Sequence, residues 1–280
     1  MSYHARKWFA ALGPWAGRPA VVFLVLGLAV GRAWPDPSIT NSSPAALKID
    51  LADPTVMTGT FYEIGSHREK ILFKYRRQAT RDGNLIHVEQ SFSLPDGQLV
   101  CRESILYRQD QLVSYAMLDL RAKSQGSILI EPTPKDPRTQ RLQLAFIPGG
   151  ADGSKVHKAT EILQPNTLIC DTIYPYILAH WDDLLQGKSV KFRLVSLDPA
   201  GTFNFRLIKD SESTWQSRPV VGIKMEPANF ILAHWIHPIF FTIEKAAPHR
   251  AFSYIGRTSP RIKVGDAWKF ADAEAVFDWP

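Results

Sequence analysis

Cysteine is scarce: Cys101 and Cys170 are the only two in 280 residues. That excludes a disulfide-built scaffold and a four-cysteine zinc site. No CxxC or HxxxH spacing occurs, and none of the acidic pairs brings the several converging oxygens a hard cation wants, so no metal is expected. Catalytic signatures are absent too. No serine sits in a G-x-S-x-G elbow. Gly149, Gly150 and Gly153 lack the Lys-Ser/Thr of a phosphate-binding loop, so no cofactor is expected. Acidic residues are missing from the first 33 positions, where Arg6, Lys7, Arg18 and Arg32 supply four of the net charge of +6. The remaining +2 is scattered among acidic residues. A nucleic-acid surface needs a concentrated basic stripe, and none exists, so nucleic acid is not an expected partner.

Long apolar runs are also lacking. The longest, Ala20 to Val30 (AVVFLVLGLAV), falls short of the roughly 20 apolar residues a membrane span needs. Preceded by a basic segment and followed by Gly31 and Ala33, it has the grammar of a secretory signal, with an uncleaved N-terminal anchor as the alternative. Residues 1–33 are thus expected to be signal peptide or anchor, placing the chain in the periplasm or facing it. Residues 34–53, rich in Pro, Ser and Asn, read as a linker. If the chain is exported, Cys101 and Cys170 can pair, closing a long loop whose bond contributes about 3–5 kcal/mol.

From residue 57 the text turns β-like. Runs of alternating side chains are split by turn residues, notably Asp82-Gly83 and Asp96-Gly97. In LIHVEQSF, Ile86, Val88, Gln90 and Phe92 share one face, and Leu85, His87, Glu89 and Ser91 the other. An antiparallel meander continues to about residue 160. The period then changes: Ile169, Ile173, Tyr176, Ile177, His180 and Leu184 follow helical steps. A helix over 172–186 is expected, capped by Asp171 or Thr172, with Pro175 in its first turn and Gly187 as its stop. Strands resume from 188. The pentapeptide ILAHW, first seen at 177–181, recurs at 231–235, in a second short helix opened by Pro227. Flanks of the two copies differ, so they are not a tandem repeat.

A long meander has one face that must be covered. The expected fold is mostly β: a highly curved antiparallel sheet, a half-barrel over 54–259, of ten or more strands, with two short helices on its concave side. Residues 260–280 are expected to be a C-terminal tail. Three segments, KFRLVSL with TFNFRLIK, RPVVGIKMEPANFILAHWI and FTIEKAAPHRAFSYIGRTS, resemble the LolA/LolB-like half-barrel superfamily, and more closely an uncharacterised periplasmic family thought to share that fold. The similarity spans residues 57–259 and is specific over 188–259; the chain departs from the carriers in its long N-terminal meander and in lacking an acyl-anchor cysteine. The resemblance implies a hydrophobic cavity.

The leading expectation is a non-enzymatic envelope protein that holds an acyl chain or lipid, with Ile177, Trp181, Ile231, Trp235, Phe203, Phe205 and Phe240 as the ligand wall and the 172–186 helix as a lid. A membrane surface or envelope proteins are further candidate partners. One alternative is a hydrolase using His180 with Asp182 or Asp183. Another is an assembly scaffold displaying a sheet edge or apolar patch.

Overall fold

Period-two burial builds this molecule. In the strand Leu85–Ser93 the side chains of Ile86, Val88, Gln90 and Phe92 are buried while His87 and Glu89 are exposed. One face of the pleat therefore meets protein and the other meets water. The strands are β1 (Val56–Glu63), β2 (Ile71–Asp82), β3 (Leu85–Ser93), β4 (Leu99–Arg108), β5 (Gln111–Asp119), β6 (Ser124–Pro132), β7 (Gln140–Ile147), β8 (His157–Ile162) and β9 (Thr167–Leu168). Helices α1 (Cys170–Ala179) and α2 (Trp181–Leu185) follow. Then come β10 (Val190–Leu197), β11 (Ala200–Trp215), β12 (Arg218–Pro227), β13 (Ile239–Glu244), β14 (Ala251–Val264) and β15 (Ala267–Asp278). The structure, a computed structural model, describes residues 50–149, 155–229 and 236–279. All of these lie in one unit, Ala46–Pro280.

The strands form a single sheet in the order β8-β7-β6-β5-β4-β3-β2-β1-β15-β14-β13-β12-β11-β10-β9. Neighbours are antiparallel except β9 and β10, which run parallel through Thr167↔Arg193 and Leu168↔Leu194. The sheet does not close by backbone pairing, and its two ends meet through side chains instead. Glu161 on β8 accepts a hydrogen bond from Arg193 of β10 at 3.0 Å. It also accepts from the backbone N–H and hydroxyl of Thr202 on β11, at 3.1 and 2.6 Å. Leu197 at the end of β10 fills the space over Gly126 on β6, where a Cβ would lie 2.3 Å from it. This is the expected curved, open half-barrel, with the parallel β9–β10 pair as its departure from a purely antiparallel sheet.

Helix α1 enters the concave side. Ile173, Tyr176 and Ile177 are buried against Phe192, Phe205, Leu207, Val221 and Ile223 of β10–β12. Each such side chain contributes about 1.5–3 kcal/mol. The expected single helix is broken in two at His180, which takes φ −110° and ψ 21°. Its start also differs. Ile169 is the N-cap residue, and the Thr172 hydroxyl accepts from the Ile169 N–H at 3.0 Å. Pro175 consequently sits inside the helix, beyond its first turn. The stop is as expected: Gly187 has φ +77°, its N–H donates to the Leu184 carbonyl and that of Lys188 to the Asp183 carbonyl. That pair of bonds is a Schellman closure.

Two domain boundaries need correction. Residues 260–280 are no tail: β14 runs through Val264, and β15 fills the sheet between β14 and β1. The linker also ends sooner than residue 53, because Leu51 and Ala52 are buried in the core and Arg77 donates to the Leu51 carbonyl at 2.7 Å. The second ILAHW helix, with Ile231, His234 and Trp235, lies outside the described residues, as do residues 34–49 and the leader.

Candidate functional site

Register brings one row of inward side chains into line. Arg77 on β2 faces Gln90 on β3, Gln90 faces Glu103 on β4, and Glu103 faces Met117 on β5. Directly opposed residues share a face, so all four point into the hollow. Asp171, in the first turn of α1, comes down onto this row. Its carboxylate accepts from Arg77 Nε at 2.8 Å and Nη2 at 3.3 Å, from Gln90 at 2.6 Å and from the Tyr107 hydroxyl at 2.9 Å. The Arg77 and Asp171 side chains are only 6% and 3% exposed. Arg77 also donates to the carbonyls of Pro54 and Leu51, so both buried charges are fully hydrogen-bonded. Burial opposes the Arg77 charge, but Asp171 outweighs it and raises the guanidinium pKa.

Beside this satisfied pair stands a carboxyl that is satisfied only in part. Glu103 is 2% exposed, and its Oε1 has no hydrogen-bond partner. Burial, helped by the Asp171 charge, pushes its pKa up to about 7, even though the hydroxyls of Ser259 and Tyr115 favour the charged form. Cys170 is both exposed and enclosed. It keeps exposed surface, yet burial, followed by Glu103 and Asp171, pushes its thiol up to about 12. The tyrosines that its own charge would affect, Tyr75, Tyr107, Tyr115 and Tyr254, stand on β2, β4, β5 and β14. Cys170 therefore stands close to the inward tyrosines of these strands. With no cation near enough to favour a thiolate, Cys170 is not an activated nucleophile. Aromatic rings continue the wall: Phe61 lies 5.9 Å from Tyr75, 5.5 Å from Phe92 and 6.4 Å from Tyr254.

The residues expected to form a ligand wall divide. Ile177 is fully buried and Phe205 nearly so, both in the seam between α1 and β10–β12. Phe203 packs half-buried on the same cluster. Trp181 is buried with its ring 4.7 Å from that of His249. These four seat the helix. Phe240 is a correction: Phe241 and Ile243 point into the core, so by period two Phe240 belongs to the opposite face of β13. Ile231 and Trp235 lie outside the described residues.

His180, Asp182 and Asp183 do come together, around a shallow depression of about 420 Å³ shared with Trp181 and His249. His180 Nδ1 and the nearer Asp183 oxygen are 3.8 Å apart, beyond hydrogen-bond reach. Asp183 is bound instead by Lys188 at 2.7 Å, which lowers its pKa. An exposed carboxylate paired with lysine does not orient a histidine base. Cys101 and Cys170 are both free. Cys101 is buried in the cluster of Phe61, Phe92 and Met117 and Cys170 heads α1, and the expected disulfide between them is not formed. Among the described residues no group of three His, Cys, Asp or Glu side chains can hold a metal ion.

No protein-family model matches the chain, and no curated protein matches it. Among solved structures, the chain is similar to the beta-barrel-like protein of a domain of unknown function, DUF1849, from Brucella abortus. The identity is 8%, the match covers 80% of this chain and 95% of that one, and the TM-score is 0.36.

Proposed function

We propose that the hollow of the half-barrel is a non-enzymatic binding site for an apolar or amphipathic small molecule, in an exported protein of the cell envelope. The observation that carries this reading is an exposed Cys170 at the head of α1, among inward tyrosines and beside a buried carboxyl one of whose oxygens has no protein partner. Helix α1 fills the side toward β10–β12, where its apolar face is packed. On the side toward β2–β5 it presents Cys170 and Asp171, and the aromatic rings of Phe61, Tyr75 and Phe92 line the wall there. Pockets of this kind, mostly apolar with a few polar groups, suit small molecules. The sequence resemblance to LolA/LolB-like carriers agrees with it. Export rests on the leader grammar alone.

Ligand protection of Cys170 tests the reading. Full-length protein purified without detergent is titrated with the neutral probe N-phenyl-1-naphthylamine, and Cys170 alkylation by iodoacetamide is followed by mass spectrometry. Saturable fluorescence enhancement with slowed Cys170 alkylation is the expected result. Fluorescence without protection at Cys170 places the probe elsewhere and removes the reading.

A further inference from the structure

Glu103 has a protein-built environment, two hydroxyls beside it, and one carboxylate oxygen, Oε1, with no hydrogen-bond partner. Its inward direction is fixed by the register: Gln90, directly opposite, donates to Asp171 inside the hollow. A buried carboxylate oxygen left without a partner is costly unless something pairs with it. Asp171 uses the Arg77 charge, which is the one guanidinium in that row. An ionised Glu103 therefore leaves this part of the interior with one uncompensated negative charge. Two hydroxyls, Ser259 and Tyr115, favour the ionised carboxylate, which suits a cation rather than a carbonyl acceptor. Tyrosine rings stand around it, and the negative faces of aromatic rings attract cations. A hard metal ion needs several converging oxygens, and this site offers one carboxylate.

Resting on the binding function proposed above, we propose that Glu103 receives an organic cation, the ammonium head of an amphipathic ligand whose apolar body lies against the aromatic wall of Phe61, Tyr75 and Phe92. Anionic amphipaths, fatty acids among them, are disfavoured by the same charge. The groups facing Glu103 are Tyr75 from β2, Tyr115 from β5, Ser259 from β14, Cys170 and Asp171 from α1, and Cys101 along β4; Arg77 and Tyr107 stand by Asp171, Tyr254 by Cys170, and Asp119 and Arg121 beyond Cys101. Burial raises the tyrosines and both thiols, leaving them neutral between pH 6 and 8.

The test is calorimetric titration of the full chain with decylamine, decanol and decanoate, each below its micellar concentration, for the native protein and Glu103→Gln. Expected at pH 8 is a decylamine affinity about tenfold above that of decanol, the effect of one charge-assisted hydrogen bond. Glu103→Gln abolishes that difference while still binding decanol, which also shows that the variant is folded. In the native protein decylamine binds about tenfold more tightly at pH 8 than at pH 6, following ionisation of Glu103, and decanol shows no such rise. Equal affinities for the three probes, or a decylamine affinity that falls with pH, overturn the cation while leaving the hollow a binding site. No binding of any probe overturns both.

Discussion

Asp171→Asn is the sharpest perturbation the fold offers. The carboxylate takes four hydrogen bonds from three strands, and its only charged partner is Arg77. Asparagine keeps the shape but removes the charge and turns one acceptor into a donor, aimed at groups that are themselves donors. Arg77 then remains buried, held by the carbonyls of Leu51 and Pro54 alone. Breaking such a pair from one side costs about 3–5 kcal/mol. At about 2–4 °C per kcal/mol for a domain of this size, the melting temperature should fall by roughly 6–20 °C. Circular dichroism melts of Asp171→Asn, Asp171→Leu, Arg77→Met and the double variant Arg77→Met/Asp171→Leu contain a complete cycle. The double variant should recover most of the loss, because no orphan charge is left. Amide exchange should also accelerate across α1, whose tie to β2–β4 has gone. A drop under about 1 kcal/mol in Asp171→Asn would refute the reasoning, as would a double variant no more stable than the singles.

Three further outcomes follow from the same geometry. The Glu103 pKa, about 7 in the folded chain against an ordinary 4.5, makes its contribution to stability greatest below pH 4.5, and that contribution is lost as pH rises through 7. The difference in stability between native protein and Glu103→Gln, measured by urea unfolding at pH 5 and pH 8, should therefore shift by about 2.5 kcal/mol in favour of the variant at pH 8. Iodoacetamide should modify Cys170 slowly at pH 7 and about tenfold faster per pH unit up to pH 9, while fully buried Cys101 stays unmodified in peptide mapping. Gly187→Ala should cost about 1 kcal/mol in a thermal melt despite open space around its Cα, because φ is +77°.

Much of the sheet was legible because its alternation is strong. Ile86, Val88, Gln90 and Phe92 alternate cleanly, and Gly83 and Gly97 mark the turns on either side. The last strand escaped because its inward residues are Ala271, Ala273 and Ala275. Alanine has low strand propensity and little hydrophobic weight, so the alternation is present but faint. A register shift in β14 between Arg257 and Arg261 further blurs the approach to it. The candidate site was missed for a different reason. In CRES the polar residues Arg102, Glu103 and Ser104 are consecutive and conceal the parity. Cys101, Ile105 and Tyr107 fix that parity, and Glu103 shares it, so the signal was available. What no local pattern gives is that Arg77 and Asp171, 94 residues apart, meet.

The place of β15 in the sheet bears on how the chain is made. Among the described residues β1 is the first strand, and it is flanked by β2 and by β15, the last. A nascent chain can zip β1 to β8 and β10 to β14 as two local meanders. It cannot join them until β15 has left the ribosome, because the seam Thr58↔Asp278 to Glu63↔Ala273 uses that strand. Closure of that seam carries a large loop entropy and is a late, slow event. Until it happens the chain has two exposed strand edges in search of partners, the state in which a holding chaperone is most useful.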